Sequence, residues 1–192
     1  MAHTFQLNGL TLHSGDLICT RDGNRRGLRG YLWRFLGRLI PGEVDHIVIY
    51  VGPGGRCVEA GARGYVISFE IPGAKWDSES MYEDRRIHDC LVGVAYPLAG
   101  RGFSEEETTA IRKRVAAYCL TQAAERKPYN IIFPNCDTEH AFYCSQLAYK
   151  AYADYGINLN TGERIANVPL LKDIVLPQEI WKGCRRQRPS YH

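Results

Sequence analysis

Cys144, His46 and Glu59 are of the residue types that together perform nucleophilic catalysis. Cys144 begins a segment in which apolar residues recur at helical spacing. A thiol at a helix N-terminus lies at the positive end of the helix dipole, and a nearby imidazole further favours its thiolate form. Cys144 is therefore a candidate nucleophile for hydrolysis or acyl transfer.

His46 and Glu59 are predicted to lie on opposite arms of a β-hairpin, because a Gly-Pro-Gly-Gly turn separates two apolar runs between them. A four-residue loop pairs Val48 with Glu59 and His46 with Gly61, whereas a two-residue loop pairs His46 with Glu59 directly. In either register the two side chains share one face of the sheet. A carboxylate there would orient the imidazole and stabilise its protonated form.

Size and charge set the frame for this chemistry. The chain has 192 residues, 45% of them hydrophobic, which suffices for one core without an obvious linker. We therefore expect a single domain over residues 1–192, with a basic tail at about 182–192. The net charge of +3 does not demand a polyanionic partner, so nucleic acid is not expected.

Features that bear on location point to a reducing compartment. The N-terminal residues lack a basic region followed by an apolar run, and no apolar stretch approaches the ~20 residues that span a bilayer. The seven cysteines are odd in number and form no CxxC pair, which suits free thiols better than disulfides. We expect a cytoplasmic protein without a transmembrane segment, although a specialised secretion system could export it.

The elements that must position these residues follow from periodicity and end signals. Ser104 and Glu107 form a capping box, which predicts a helix over about 104–125. A helix beginning near Cys144 is predicted to end at Gly156 as its C-cap. The remaining predictions are an amphipathic helix over 28–39, a turn into a short strand over 14–19, and strands near 47–51, 57–60, 65–69 and 90–96. Strands and helices do not alternate strictly, which indicates an α+β domain with an antiparallel sheet packed against helices.

Several of these segments resemble one family of cysteine hydrolases. The chain is similar to the YiiX/YebB-like group, the circularly permuted branch of the NlpC-type, papain-fold cysteine peptidases. The resemblance is carried by Gly15-Asp16-Leu17-Ile18, by 45–52 with Val58-Glu59-Ala60, by 127–130, by Tyr143-Cys144-Ser145-Gln146 with the residues to 152, and by 175–180. Gln146 stands where that family more often has Glu, and Asp45 where Ser or Thr is common.

The resemblance implies a permuted papain-like fold in which the histidine and its partner precede the cysteine. Cys144 would be the nucleophile, His46 the general base and acid, and Glu59 the orienting group. Tyr143, Ser145 and Asp16 are further candidates for oxyanion or substrate contact. The implied activity is cleavage of amide or peptide bonds through a thioester, with a peptide or peptidoglycan fragment as substrate and with neither a cofactor nor a metal.

Two other functions stay open on the sequence. The first is a lipid or thioester acyltransferase or hydrolase on the same fold, which would take an acyl substrate. The second is a zinc-binding or non-catalytic binding module. For zinc, the spacing would place Cys136, His140 and Cys144, with Asp137 between them, along one helical face, and Cys57 would complete a tetrahedral site. The oligomeric state does not follow from the sequence.

Overall fold

The structure is a computed structural model that describes residues 2–22, 42–160 and 174–190. Its strands are β1 (Thr4–Leu7), β2 (Leu10–His13), β3 (Leu17–Asp22), β4 (His46–Gly52), β5 (Arg56–Ala60), β6 (Val66–Glu70), β7 (Asp89–Tyr96) and β8 (Arg185–Gln187). Its helices are α1 (Tyr82–Arg85), α2 (Glu105–Ala124), α3 (Cys144–Ala153) and α4 (Pro177–Gly183), and a 3-10 turn covers Pro53–Gly55. The described residues therefore form a mixed α+β structure.

Six strands form one antiparallel sheet in the order β6-β5-β4-β3-β7-β8, and β1 pairs with β2 as a separate hairpin. The strand β4, which begins at His46, is central and is paired on both sides. Thr20 of β3 lies opposite His46, and a β-bulge interrupts the pairing of β3 with β7 between Cys19 and Thr20. The candidate histidine thus stands at the end of a strand fixed by two neighbours.

Hydrophobic cores lie on both faces of the six-stranded sheet, because successive side chains of a strand point to opposite sides. On one face Ile47 and Ile49 pack with residues of α2, α3 and α4. On the other face Val48 and Tyr50 pack with residues of the β1–β2 hairpin and with Met81. Burial on both faces accounts for the nearly continuous apolar run of β4.

Most of the elements predicted from the sequence are present. The hairpin of β4 and β5, the strands β6 and β7, and the capping box of Ser104 with Glu107 at the start of α2 are confirmed. The second long helix begins at Cys144 as predicted, but it ends at Ala153 with Asp154 as its C-cap. Gly156 has a φ of 67° in the turn beyond the helix, so its prediction as the C-cap was wrong. The predicted helix over 28–39 lies outside the described residues.

Four described elements were not predicted: the hairpin of β1 and β2, the short helix α1, the helix α4 and the strand β8. The strand β8 lies inside the predicted basic tail, where Arg185, Arg186 and Gln187 pair with β7. Within residues 2–22, 42–160 and 174–190, no helix combines the length and the apolar character needed to cross a membrane.

Candidate active site

The hairpin brings the side chains of His46 and Glu59 into direct contact. Ile49 pairs with Val58 and Tyr50 with Cys57, which is the register predicted for a four-residue loop. Nε2 of His46 lies 2.9 Å from Oε2 of Glu59. Because Nε2 contacts the carboxylate, Nδ1 is the ring nitrogen left to exchange a proton with another group.

Cys144 lies beside this pair at the first position of α3. Its side chain lies within hydrogen-bond reach of the His46 ring. Cys144 is 5% exposed and the His46 side chain 13%, whereas the Glu59 side chain is 0% exposed. Cys144 and His46 therefore keep a small exposed fraction, whereas the carboxylate beside them has none.

Arg85 at the end of α1 also contacts the Glu59 carboxylate. Its Nε lies 3.1 Å from each carboxylate oxygen of Glu59, and its Nη2 donates to Oε2 at 2.8 Å. Its Nη1 and Nη2 also donate to Oδ1 and Oδ2 of Asp89, at 2.9 and 2.8 Å. One buried guanidinium thus bridges two buried carboxylates, and we call His46, Glu59, Arg85 and Asp89 the charged cluster.

Aromatic side chains pack against the Arg85 and Asp89 end of the charged cluster. The guanidinium carbon of Arg85 lies 4.9 Å from the ring centroid of Phe69 and 4.6 Å from that of Trp76. Nε1 of Trp76 donates to Oδ1 of Asp89 at 3.0 Å. Contact with ring faces stabilises a cation, and the indole N–H is a second donor to an oxygen that also accepts from Arg85.

Ionisation of the cluster follows from these contacts. Burial alone raises the pKa of Glu59, but Arg85 and His46 outweigh it and lower that pKa to about 2. Burial alone lowers the pKa of His46, but the Cys144 and Glu59 side chains outweigh it and hold that pKa well above 6.5. Geometry and charge therefore favour an imidazolium between a carboxylate and a thiol.

The start of α3 is held by neutral groups. Oε1 of Gln146 accepts from Asn130 Nδ2 at 2.9 Å and from the Tyr143 N–H at 3.3 Å. Nε2 of Gln146 donates to the carbonyls of Cys136 and Thr138 at 3.1 and 3.2 Å, with a longer contact to that of Asn135. We call Asn130 and Gln146 the amide cluster. It fixes the loop over 130–138 against the helix turn that carries Cys144.

The amide cluster gives a physical reason for glutamine at this position. Both donor and acceptor ends of the Gln146 side chain are used, and the residue is 0% exposed. A glutamate here would have no N–H to donate to the carbonyls of the loop.

The other predicted site residues occupy structural positions. The hydroxyl of Tyr143 accepts from the Val175 N–H at 3.0 Å, and the hydroxyl of Ser145 donates to the Val175 carbonyl at 2.7 Å. Both side chains therefore tie the start of α3 to the segment before α4. Asp16 accepts from the His13 N–H and from Arg112, each at 2.8 Å. It precedes β3, at the opposite end of that strand from the residue paired with His46.

The geometry assumed for a zinc site is not present. The helix begins at Cys144, so Cys136 and His140 precede it and do not share its face. Cys57 is buried in the core on the opposite face of the sheet from that of Cys144. In the part of the chain that the structure describes, no group of three or more His, Cys, Asp or Glu side chains is arranged to hold a metal ion.

Sequence reasoning missed the partners of Glu59. Arg85 falls in the run Glu83-Asp84-Arg85-Arg86, which is typical of an exposed surface. The only signal was Glu59 itself, because a carboxylate in an otherwise apolar strand requires a buried cation or donor. That rule predicts that a partner exists without saying which residue it is.

Comparison of the chain with models of known protein families gives no match. Searches against curated proteins and against solved structures also give none.

Proposed function

We propose that the protein is a cysteine hydrolase that cleaves amide or peptide bonds through a Cys144–His46–Glu59 triad. The observation that carries the proposal is the contact of Cys144, at a helix start, with an imidazole whose Nε2 lies 2.9 Å from a fully buried carboxylate. This combination supports the roles of Cys144 as nucleophile, His46 as proton carrier and Glu59 as orienting group.

In the proposed first step the Cys144 thiolate attacks the substrate carbonyl carbon, and the carbonyl oxygen becomes an oxyanion. Backbone N–H groups of the first turn of α3 have no acceptor within the helix and lie at the positive end of its dipole. They are suited to donate to that oxyanion. The protonated His46 then gives its proton to the leaving amine as the C–N bond breaks, which leaves a thioester on Cys144.

In the second step water resolves the thioester. Neutral His46 takes a proton from the attacking water, a second oxyanion forms, and the C–S bond breaks to release a carboxylic acid and the thiolate. Glu59 keeps the ring oriented throughout and stabilises the imidazolium each time it forms. No cofactor or metal takes part in this proposed mechanism.

A circularly permuted papain-like fold over residues 1–192 is part of the proposal. Its support is the chain order His46, Glu59, Cys144, together with a helix that begins at the cysteine and packs on an antiparallel sheet. All seven cysteines are free thiols, which suits a reducing compartment such as the cytoplasm.

One observation favours the second candidate, transfer or hydrolysis of an apolar acyl group. Ile131 and Ile132 are 76% and 64% exposed, and they lie in the loop that Gln146 fixes next to the Cys144 helix. An apolar acyl chain could cover them. Short peptide amides and acyl thioesters supplied to the same preparation distinguish the two candidates by which is cleaved.

The test is alkylation by iodoacetamide, mapped to individual cysteines by mass spectrometry in the wild type and in His46→Ala. Exposed Cys90 is the internal reference, whereas burial raises the pKa of Cys19, Cys57 and Cys119 and keeps those thiols slow. We expect Cys144 to react at least ~10-fold faster than Cys90 at pH ~6 and to lose that advantage in His46→Ala.

Equal rates for Cys144 and Cys90 at pH ~6 in the folded wild type would contradict the triad and favour a binding module. Fast reaction of Cys144 that persists in His46→Ala would leave a reactive thiol but remove His46 from the mechanism. Zinc content of the purified protein is measured on the same sample, because a bound metal would also suppress alkylation.

A further inference from the structure

The geometry points to Arg85 as a positioning residue of the site: bridged to Asp89 and enclosed by Phe69 and Trp76, it fixes the Glu59 carboxylate against His46. This inference rests on the proposed triad and adds to it the residue that holds Glu59 in position. Arg85 does not touch the reacting atoms, so its effect must reach Cys144 through Glu59 and His46.

The contacts of Glu59 show why its orientation depends on Arg85. A glutamate side chain has three rotatable bonds, and His46 contacts only one of its carboxylate oxygens. Arg85 contacts both oxygens through Nε and Nη2. A planar guanidinium that engages both oxygens sets the plane of the carboxylate as well as its position.

Arg85 is itself fixed from three sides. Asp89 accepts from both of its terminal nitrogens, and two aromatic rings lie against the guanidinium. The side chain is 0% exposed, so water does not compete for these donors. A merely structural ion pair would need only one carboxylate. The second carboxylate leaves the charged cluster with a net negative charge, which a protonated His46 balances.

Charge counting shows what the second carboxylate does. Glu59 and Asp89 together carry two negative charges and Arg85 carries one positive charge, so the three sum to −1. A protonated His46 brings the charged cluster to zero, whereas a neutral His46 leaves a net negative charge buried. The arrangement therefore favours the imidazolium that the leaving-group step needs.

Other charged or titratable groups also act on His46. Cys144 faces it from α3 and Glu59 from β5, and Asp45 precedes it in the chain. Asp22, at the end of β3, and Asp89 interact with Asp45. A test of Arg85 must therefore separate orientation from total charge.

The experiment compares alkylation of Cys144 by iodoacetate and by iodoacetamide across pH. An imidazolium beside the thiolate attracts the anionic iodoacetate but not the neutral iodoacetamide. The ratio of the iodoacetate rate to the iodoacetamide rate therefore falls at the pH where His46 loses its proton. The wild type, His46→Ala, Asp89→Asn and Arg85→Lys are measured. Tyr152→Phe is the control, since it loses a buried hydrogen bond to the Gly15 carbonyl about two turns along α3 from Cys144.

We expect Asp89→Asn to lower the pH at which the ratio falls by about one unit, because it removes one buried negative charge behind Glu59. Arg85→Lys keeps the total charge but loses the planar fork, so a downward shift in this variant reports orientation rather than charge. Tyr152→Phe is expected to retain the wild-type profile. If Arg85→Lys fails to fold, Trp76→Phe removes the indole donor to Asp89 and reduces the ring face against Arg85 without changing any charge, and it is expected to give a smaller downward shift.

A profile of folded Arg85→Lys, or of Trp76→Phe if Arg85→Lys does not fold, that superimposes on that of the wild type would overturn the positioning role of Arg85, because a shift in Asp89→Asn alone reports charge. Failure of the proposed function gives a different result. The ratio of the two alkylation rates in the wild type would then equal that in His46→Ala at every pH. The two failures are therefore distinguished within one data set.

Discussion

The two sides of the candidate site are built from different kinds of interaction. The charged cluster holds the His46 side through ionised groups, with Glu59 and Arg85 both at 0% side-chain exposure. The amide cluster holds the Cys144 side through neutral hydrogen bonds from Gln146 and Asn130. A change in the first should alter ionisation, and a change in the second should alter geometry and stability without a dependence on pH.

The largest effect is expected from Glu59→Gln, which breaks the charged cluster. Folding lowers the pKa of Glu59 from 4.5 to about 2, so the ionised carboxylate stabilises the fold above pH 4.5. That contribution is lost as the pH falls through about 2. We expect Glu59→Gln to cost about 3 kcal/mol at pH 7 and much less near pH 2, measured by urea unfolding at a series of pH values.

The same variant leaves Arg85 balanced by Asp89 alone and removes the anion beside His46. Alkylation of Cys144 by iodoacetate should therefore lose its advantage over iodoacetamide at a lower pH than in the wild type. A loss of stability that is equal at pH 7 and at pH 3 would show that Glu59 contributes packing or a neutral hydrogen bond rather than charge.

A smaller effect is expected from Gln146→Leu, which breaks the amide cluster. The carbonyls of Cys136 and Thr138 lose their side-chain donor, and Asn130 loses an acceptor. We expect a loss of about 2 kcal/mol in the free energy of unfolding, equal at pH 7 and pH 3, because no titratable group is removed. Alkylation of Cys144 should slow, while the pH at which the reagent ratio falls stays unchanged.

Tyr152→Phe is the matched control for Gln146→Leu. It removes one buried hydrogen bond from the far part of the same helix and should cost about 1 kcal/mol without slowing alkylation. If Gln146→Leu instead moves the pH profile as Glu59→Gln does, the two sides of the site are electrostatically coupled and the contrast between them does not hold.

The same contrast explains how much of the site could be predicted from the sequence. Period-two alternation and one turn string predicted that His46 and Glu59 share a face, and the observed register agrees. Helical periodicity predicted that Cys144 begins a helix. These are local signals, in which the chain itself fixes the relation between nearby residues.

The supporting residues were not predictable in this way. Arg85 is 26 residues from Glu59 and lies in a charged run, so nothing local distinguishes it from a solvated arginine. Asn130 and Gln146 meet across 16 residues of loop and helix start. Their contacts depend on how separate elements pack, which periodicity does not encode. The fold was therefore predicted as elements, and the interactions that tune the site came only from the structure.

The smallest effect is expected from Thr20→Val. This substitution tests whether the Thr20 hydroxyl interacts with the charged cluster. Thr20 lies opposite His46 in the sheet, and its hydroxyl is buried with no hydrogen-bond partner among the described residues. A valine fits the strand and removes an unpaired polar group, so the free energy of unfolding should stay the same or rise by up to about 1 kcal/mol. Ser145→Ala is the contrasting control, because that buried hydroxyl donates to the Val175 carbonyl at 2.7 Å and its loss should cost about 1 kcal/mol. If Thr20→Val destabilises the protein and shifts the pH profile of Cys144 alkylation, the hydroxyl acts on His46 and the charged cluster extends to β3.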